Sequence, residues 1–140
     1  MSDWKTPLRL VEQLDKKGNI HEKGVKKLVS AVAEASELGD KLGCAEFIAF
    51  ATSAVRSALN SEAVLDEVEK QTGVRLQILS GVEEAQLTFL SARRWYGWSA
   101  GRITNLDIGG GSLELSTGTD EHPDLAFSLD LGAGRLTHNW

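Results

Sequence analysis

Asp107 and Glu114 lie seven positions apart in the run Asn105–Leu115, on either side of Gly109, Gly110 and Gly111. Three consecutive glycines fill no core and cost backbone entropy, so packing is a poor reason for them. Alternating apolar residues flank them, and the unit reads as strand, tight turn, strand. Backbone N–H groups exposed in such a turn form a concavity that takes an anion. In the second strand Ser112, Glu114 and Ser116 share one face, with Leu113 and Leu115 on the other. Two carboxylates beside an anion cradle suit a hard divalent cation held through oxygen. The plain alternative is a glycine-rich hairpin with two solvated acids.

Three further segments carry candidate chemistry. In Ala51-Thr52-Ser53-Ala54-Val55-Arg56 an apolar strand runs into two hydroxyls and an arginine. Ligands of open α/β sheets lie at the carboxyl ends of strands, and a guanidinium fork suits an oxyanion. A hydroxyl cap and a surface arginine would leave the same trace. Ser80-Gly81-Val82-Glu83-Glu84-Ala85 places acids in the first turn of a helix, where they complement the macrodipole and Ser80 can cap. Leu131-Gly132-Ala133-Gly134-Arg135 reads either as a second anion loop or as a turn with a solvated charge. His21, His122 and His138 have no metal-ligand spacing. Trp95, Tyr96 and Trp98 read as packing at a break between two halves rather than as a base platform, and Glu62, Asp66, Glu67 and Glu69 as a solvated helix face.

These groups need elements to hold them. Val25, Leu28, Val29, Val32 and Ala35 follow helical spacing and predict a helix from His21 to about Leu38. Ala45–Ala51, with Phe47, Ile48 and Phe50, reads as a buried strand. A helix follows Asn60-Ser61 and stops at Gly73. Val74–Leu79 is a second strand and Glu83–Tyr96 a third helix. The pattern then changes to three strands, Ile103–Leu106, Leu113–Thr117 and Ala126–Leu131, with His122-Pro123 in a turn and no helix to cover them. Alternating helix and strand in the first hundred residues predicts a parallel layer covered by helices.

Composition narrows the function classes. The chain has 140 residues, 41% hydrophobic and 25% charged, with a net charge of −5. Without a basic run, sequence-independent nucleic-acid binding is not expected. No apolar stretch reaches the length of a membrane span, and Met1–Lys5 lacks the apolar core of a signal peptide. The single cysteine, Cys44, permits no internal disulfide and reads as a buried, inert thiol. Cytoplasm is the simplest compartment.

Taken together and in order, the four segments, with Asn60, Thr72-Gly73 and Leu129–Thr137, resemble the Ppx/GppA phosphatases. These are the exopolyphosphatases and guanosine pentaphosphate phosphohydrolases of the actin-like ATPase superfamily. Arg9-Leu10 with Asp15 and Gly18 is similar to the family's segment before its first helix, and the Trp-rich Arg94–Gly101 to its actinobacterial exopolyphosphatase branch. The resemblance implies an α/β, actin-like (ribonuclease H-like) fold, with the active site in a cleft between two domains. Residues 1–100 would belong to the first and 101–140 would open the second. It implies Glu84 as general base, Asp107 and Glu114 at a divalent metal such as Mg²⁺, Gly109, Gly110, Gly111 and Ser112 around the phosphoryl group, and Arg56 on the phosphate path. The implied substrate is inorganic polyphosphate, or guanosine pentaphosphate in the sister activity, and a homodimer is compatible with it.

The family's N-terminal Asp-x-Gly-Ser-Asn-Ser-like phosphate loop has no counterpart in residues 1–20. The expectation is therefore a partial chain, lacking N-terminal strands and the rest of the second domain, with little hydrolase activity by itself. A non-catalytic polyphosphate- or (p)ppGpp-binding domain is the alternative of another class. A sugar or acetate kinase of the same superfamily is disfavoured by the Glu83-Glu84 pair and by Thr52–Arg56.

Overall fold

The computed structural model describes residues 3–139. They form two compact units that part between Ile78 and Leu79.

The first unit is built on α1 (Glu22–Lys41), β1 (Phe50–Ala51), α2 (Ser53–Arg56), α3 (Ser61–Thr72) and β2 (Gln77–Ile78). The spacing that predicts α1 puts Leu28, Ala31 and Val32 inside, where α1 packs on α3. Gly24 is buried there because a Cβ would stand 2.8 Å from Ile20 and 2.9 Å from Gln13. The core joins Ile20, Leu28, Val32, Val55, Val64, Leu65, Val68 and Leu76. α3 stops at Gly73, whose φ of 71° gives the left-handed cap that glycine takes without strain. β1 and β2 pair in parallel, Phe50 with Gln77 and Ala51 with Ile78.

Three expectations change here. The strand predicted over 45–51 is limited to Phe50–Ala51, and Phe47 and Ile48 are 41% and 53% exposed. Apolar content alone does not make a strand; a partner must take its hydrogen bonds, and the ladder to β2 spans only this short stretch. Cys44 is exposed rather than buried, because it follows the end of α1 in the same uncovered segment. The strand predicted over 74–79 shortens to Gln77–Ile78.

The second unit holds α4 (Gly81–Tyr96), β3 (Ile103–Ile108), β4 (Leu113–Gly118), β5 (Leu125–Leu129) and α5 (Ala133–Asn139). The strands form an antiparallel meander in the order β3-β4-β5. α4 packs against all three, so the covering helix that the sequence pattern lacks comes from before the strands. Contacts thus group α4 with the segment that follows it. On the opposite face Leu106, Ile108, Leu125 and Leu129 are exposed. The aromatic run does not pack: Trp95 is 84% exposed, Tyr96 67% and Trp98 54%. Instead Trp98 Nε1 donates to Asp120 Oδ1 at 3.3 Å. No helix among the described residues is long and apolar enough to cross a membrane.

Candidate active site

The glycine run folds as expected into the turn between β3 and β4. Gly109 N–H donates to Ser112 O at 2.9 Å, and Asp107 stands directly opposite Glu114 across the ladder. None of the three glycines has a positive φ. The close approach at this turn is made by a fourth glycine. The chain returns after β5, and a Cβ on Gly132 would lie 2.4 Å from Gly111 C and Ser112 N. Ala133 N–H then donates to Gly109 O at 2.9 Å and Arg135 N–H to Gly110 O at 3.1 Å. The first turn of α5 therefore takes the turn's carbonyls. Among the described residues no acceptor meets the N–H groups of Gly110, Gly111 and Ser112. Occupied carbonyls and available N–H groups are the polarity that an anion requires.

Asn105, Asp107, Glu114, Ser116 and Ser128 share one face of the sheet through the registers Asn105–Ser116, Asp107–Glu114 and Glu114–Ser128. This polar face is the buried one. Glu114 is 1% exposed, Ser112 1% and Ser116 0%, so the solvated-acid alternative fails for Glu114. Its Oε1 accepts a hydrogen bond from Ser128 Oγ at 2.7 Å. The hydroxyls of Ser112 and Ser116 are buried with no protein partner. A buried carboxylate is costly unless paired, and orphaned hydroxyls beside it add oxygen ligands. The donor set thus fits a hard cation such as Mg²⁺, which binds one or two carboxylates and leaves its remaining places to water and phosphate oxygens. The pair is not extended: among the described residues no group of three or more His, Cys, Asp or Glu could hold a metal.

Glu84 lies half-buried in the first turn of α4. The helix start is set by a capping box: Glu83 N–H donates to Ser80 Oγ at 3.2 Å, and Ser80 N–H donates to Glu83 Oε2 at 2.8 Å. The Ser80 hydroxyl, and then the Ser80 backbone N–H, hold the Glu83 carboxyl below its ordinary range. Glu83 is therefore occupied in capping, and Glu84 follows it in the same helical turn. Two hydrogen bonds orient α4 on the sheet. Arg93 Nη2 donates to Gly118 O at 2.9 Å, and Gly118 pairs with Ile103. Asn105 Nδ2 donates to Thr88 Oγ1 at 3.3 Å. Hence α4 and β3 run in opposite directions. Glu84 is about one turn before Thr88, and Asp107 is the next residue after Asn105 on the same face. The order along both elements brings Glu84 toward the carboxylate pair.

Arg56 belongs to the first unit, where it is half-buried at the end of α2. Thr52, the residue before α2, makes no side-chain cap, so the simple capping account of that segment does not hold. Two contributors escape the sequence pattern. Leu131–Thr137, read as a loop, carries a helix locked to the glycine turn. Arg93, on which the sequence pattern is silent, is fully buried. Only the density of glycine at 132 and 134 hinted at the first, and no signal marked the second.

The family model described as the Ppx/GppA phosphatase family matches residues 1–140. The chain is 61% identical over its full length to Exopolyphosphatase 1 of Mycobacterium leprae and 60% identical to Exopolyphosphatase 1 of Mycobacterium tuberculosis, covering 41% of each. Among solved structures, an exopolyphosphatase from Cytophaga hutchinsonii superposes with a TM-score of 0.83 at 27% identity, over 89% of this chain and 40% of that one. An Aquifex aeolicus member of the Ppx/GppA family gives 0.76 at 25% identity, over 92% and 42%. The chain thus spans about 41% of the length of the curated relatives it matches. It shares the α/β, actin-like fold of those structures in part and belongs to the Ppx/GppA phosphatase family.

Proposed function

We propose that the chain supplies part of the active site of an exopolyphosphatase, which hydrolyses the terminal phosphoanhydride of inorganic polyphosphate and releases orthophosphate. The observation that carries this reading is the glycine turn with its carbonyls engaged by α5, set beside the Asp107–Glu114 pair. The names of the relatives support polyphosphate as the substrate.

Phosphoryl transfer needs positioning and charge neutralisation more than covalent help. Gly110, Gly111 and Ser112 N–H groups hold the oxygens of the terminal phosphoryl group. Asp107 and Glu114 are the residues that would hold a divalent cation, with the Ser112 hydroxyl beside them. When bound, that cation neutralises charge on the phosphate oxygens. Glu84 accepts one proton from a water molecule. The water oxygen forms a bond to the terminal phosphorus, the bridging P–O bond breaks, and the shortened polyphosphate leaves with that electron pair.

Phosphate release from polyphosphate tests this reading in a protein that carries this chain within the full length of its relatives, with Mg²⁺ and with chelator. Glu84→Gln is expected to lower the rate by about a hundredfold or more, the usual weight of a general base. A Glu84→Gln protein that stays folded and keeps most of its activity would overturn the assignment.

A further inference from the structure

Arg93 is 0% exposed. Among the described residues its guanidinium faces no carboxylate at hydrogen-bond distance and is met by backbone carbonyls instead. Nη1 donates to Gly97 O at 3.1 Å, and Nη2 to Gly101 O at 2.7 Å and Gly118 O at 2.9 Å. Its carbon Cζ lies 5.8 Å from the centre of the Phe89 ring, and Nε has no partner. Burying a cation is costly unless its surroundings compensate. Here the compensation is dipolar: three carbonyls, and the C-terminal end of α4, where a helix favours positive charge.

A residue needed only to fill this space would be apolar. What an apolar side chain cannot do is tie three separate segments together. Gly97 caps α4, Gly101 ends the 3-10 turn Trp98–Ala100, and Gly118 ends β4. The planar guanidinium presents five donors in a fixed fork and reaches all three at once. The position at Gly118 is closely fitted as well, since a Cβ there would stand 2.9 Å from Pro123 Cα and 3.1 Å from Phe89.

We propose that Arg93 is a positioning residue: by clamping the C-terminal end of α4 to the sheet, it sets the direction in which the helix carries Glu84 toward Asp107 and Glu114. Together with Asn105–Thr88 it ties α4 to the strands by hydrogen bonds. Two points along a rigid helix define its axis, and Glu84 lies beyond the nearer one. The catalytic half of this proposal rests on the assignment of Glu84 as base.

Spin labels at two exposed positions read the geometry directly. One replaces Val82 at the start of α4 and the other Thr119 just after β4, with Cys44→Ser in the full chain. With Arg93 present, the distance distribution is expected to be single and narrow. In Arg93→Met it broadens and moves. Arg93→Lys, a point donor that cannot span three carbonyls, moves it less. A merely stabilising residue would lower the melting temperature and leave the distribution of the folded molecules in place. An unchanged distribution in folded Arg93→Met overturns the proposal. If circular dichroism shows that Arg93→Met does not fold, an unchanged distribution in Arg93→Lys does so. In the catalytic background, Arg93→Lys is expected to lower kcat by about tenfold to a hundredfold with KM held, as small misplacement does. A moved helix with unchanged kcat overturns the catalytic half. Full activity in Glu84→Gln would refute the base assignment and leave the clamp standing.

Discussion

Asp107 and Glu114 are direct cross-strand partners on β3 and β4, with both carboxylates on the face that α4 covers. Like charges placed opposite each other on a sheet destabilise it by up to about 1 kcal/mol. The hairpin therefore carries a local penalty that the proposed cation would relieve. Asp107→Asn removes one charge and keeps the side chain's size. The expected outcome is a melting temperature equal to or above that of the wild type in chelator, and loss of the rise that Mg²⁺ gives the wild type. Thermal melts of both proteins with and without Mg²⁺ check this. An equal Mg²⁺ response in the two would remove Asp107 from the cation site.

Gly132 is the backbone-on-backbone contact that seats α5 on the glycine turn. In Gly132→Ala the new Cβ meets Gly111 C and Ser112 N at 2.4 Å, and backbone cannot yield as a flexible side chain would. Overpacking of this kind costs about 1–3 kcal/mol. Gly109→Ala meets only Ser112 O, at 3.3 Å, and is expected to cost less. Urea unfolding of the two variants should rank them in that order. Phosphate affinity should fall in Gly132→Ala, because displacing α5 frees the carbonyls of Gly109 and Gly110 to face the anion.

The contrast between these glycines and Arg93 shows what the amino-acid sequence could reveal. Asp107, the glycines and Glu114 are contiguous and their strand period is short, so the hairpin and the shared face of Ser112, Glu114 and Ser116 were legible. The helical spacing of Val25, Leu28 and Val32 likewise announced α1, and Gly73 announced the end of α3. α5 was hidden because it carries Gly134, a poor helix former, in its first turn, and is held by carbonyls more than twenty positions away. Phe47 and Ile48 looked like a strand because apolar runs report burial, whereas strand formation needs a partner's hydrogen bonds. Arg93 was silent for the same reason at longer range: its acceptors reach to Gly118, and no local pattern distinguishes it from its solvated neighbour Arg94.

Glu83 supplies a pH test of the start of α4. Its hydrogen bonds with the Ser80 side chain and backbone hold its carboxyl below the ordinary glutamate range. Folded protein therefore holds this proton less tightly than the unfolded chain does. The contribution of the box is complete above the unfolded value and is lost as pH falls through the folded one. Melting temperature measured from about pH 6 down to about pH 3 should decline more gently in Glu83→Gln than in the wild type, since glutamine keeps an acceptor but no titration. Identical slopes would show that the box does not persist in solution.

Asn60 joins two distant stretches of the first unit by imitating a strand. Its Oδ1 accepts from Ile20 N–H at 2.8 Å and its Nδ2 donates to Ile20 O at 3.0 Å. Ile20 is 3% exposed, so water cannot replace both bonds. Asn60→Ala leaves a buried donor and acceptor unmet, a loss of about 1–3 kcal/mol each way such groups are usually measured. Asn60→Asp is the more discriminating variant. It keeps the acceptor for Ile20 N–H but, when ionised, turns a second oxygen toward Ile20 O. That repulsion raises the folded pKa of the new carboxyl, so the variant should be closest to wild type at low pH and lose ground as pH rises. Urea midpoints at two pH values decide it: a pH-independent deficit in Asn60→Asp would mean that the donor half of the pair contributes nothing.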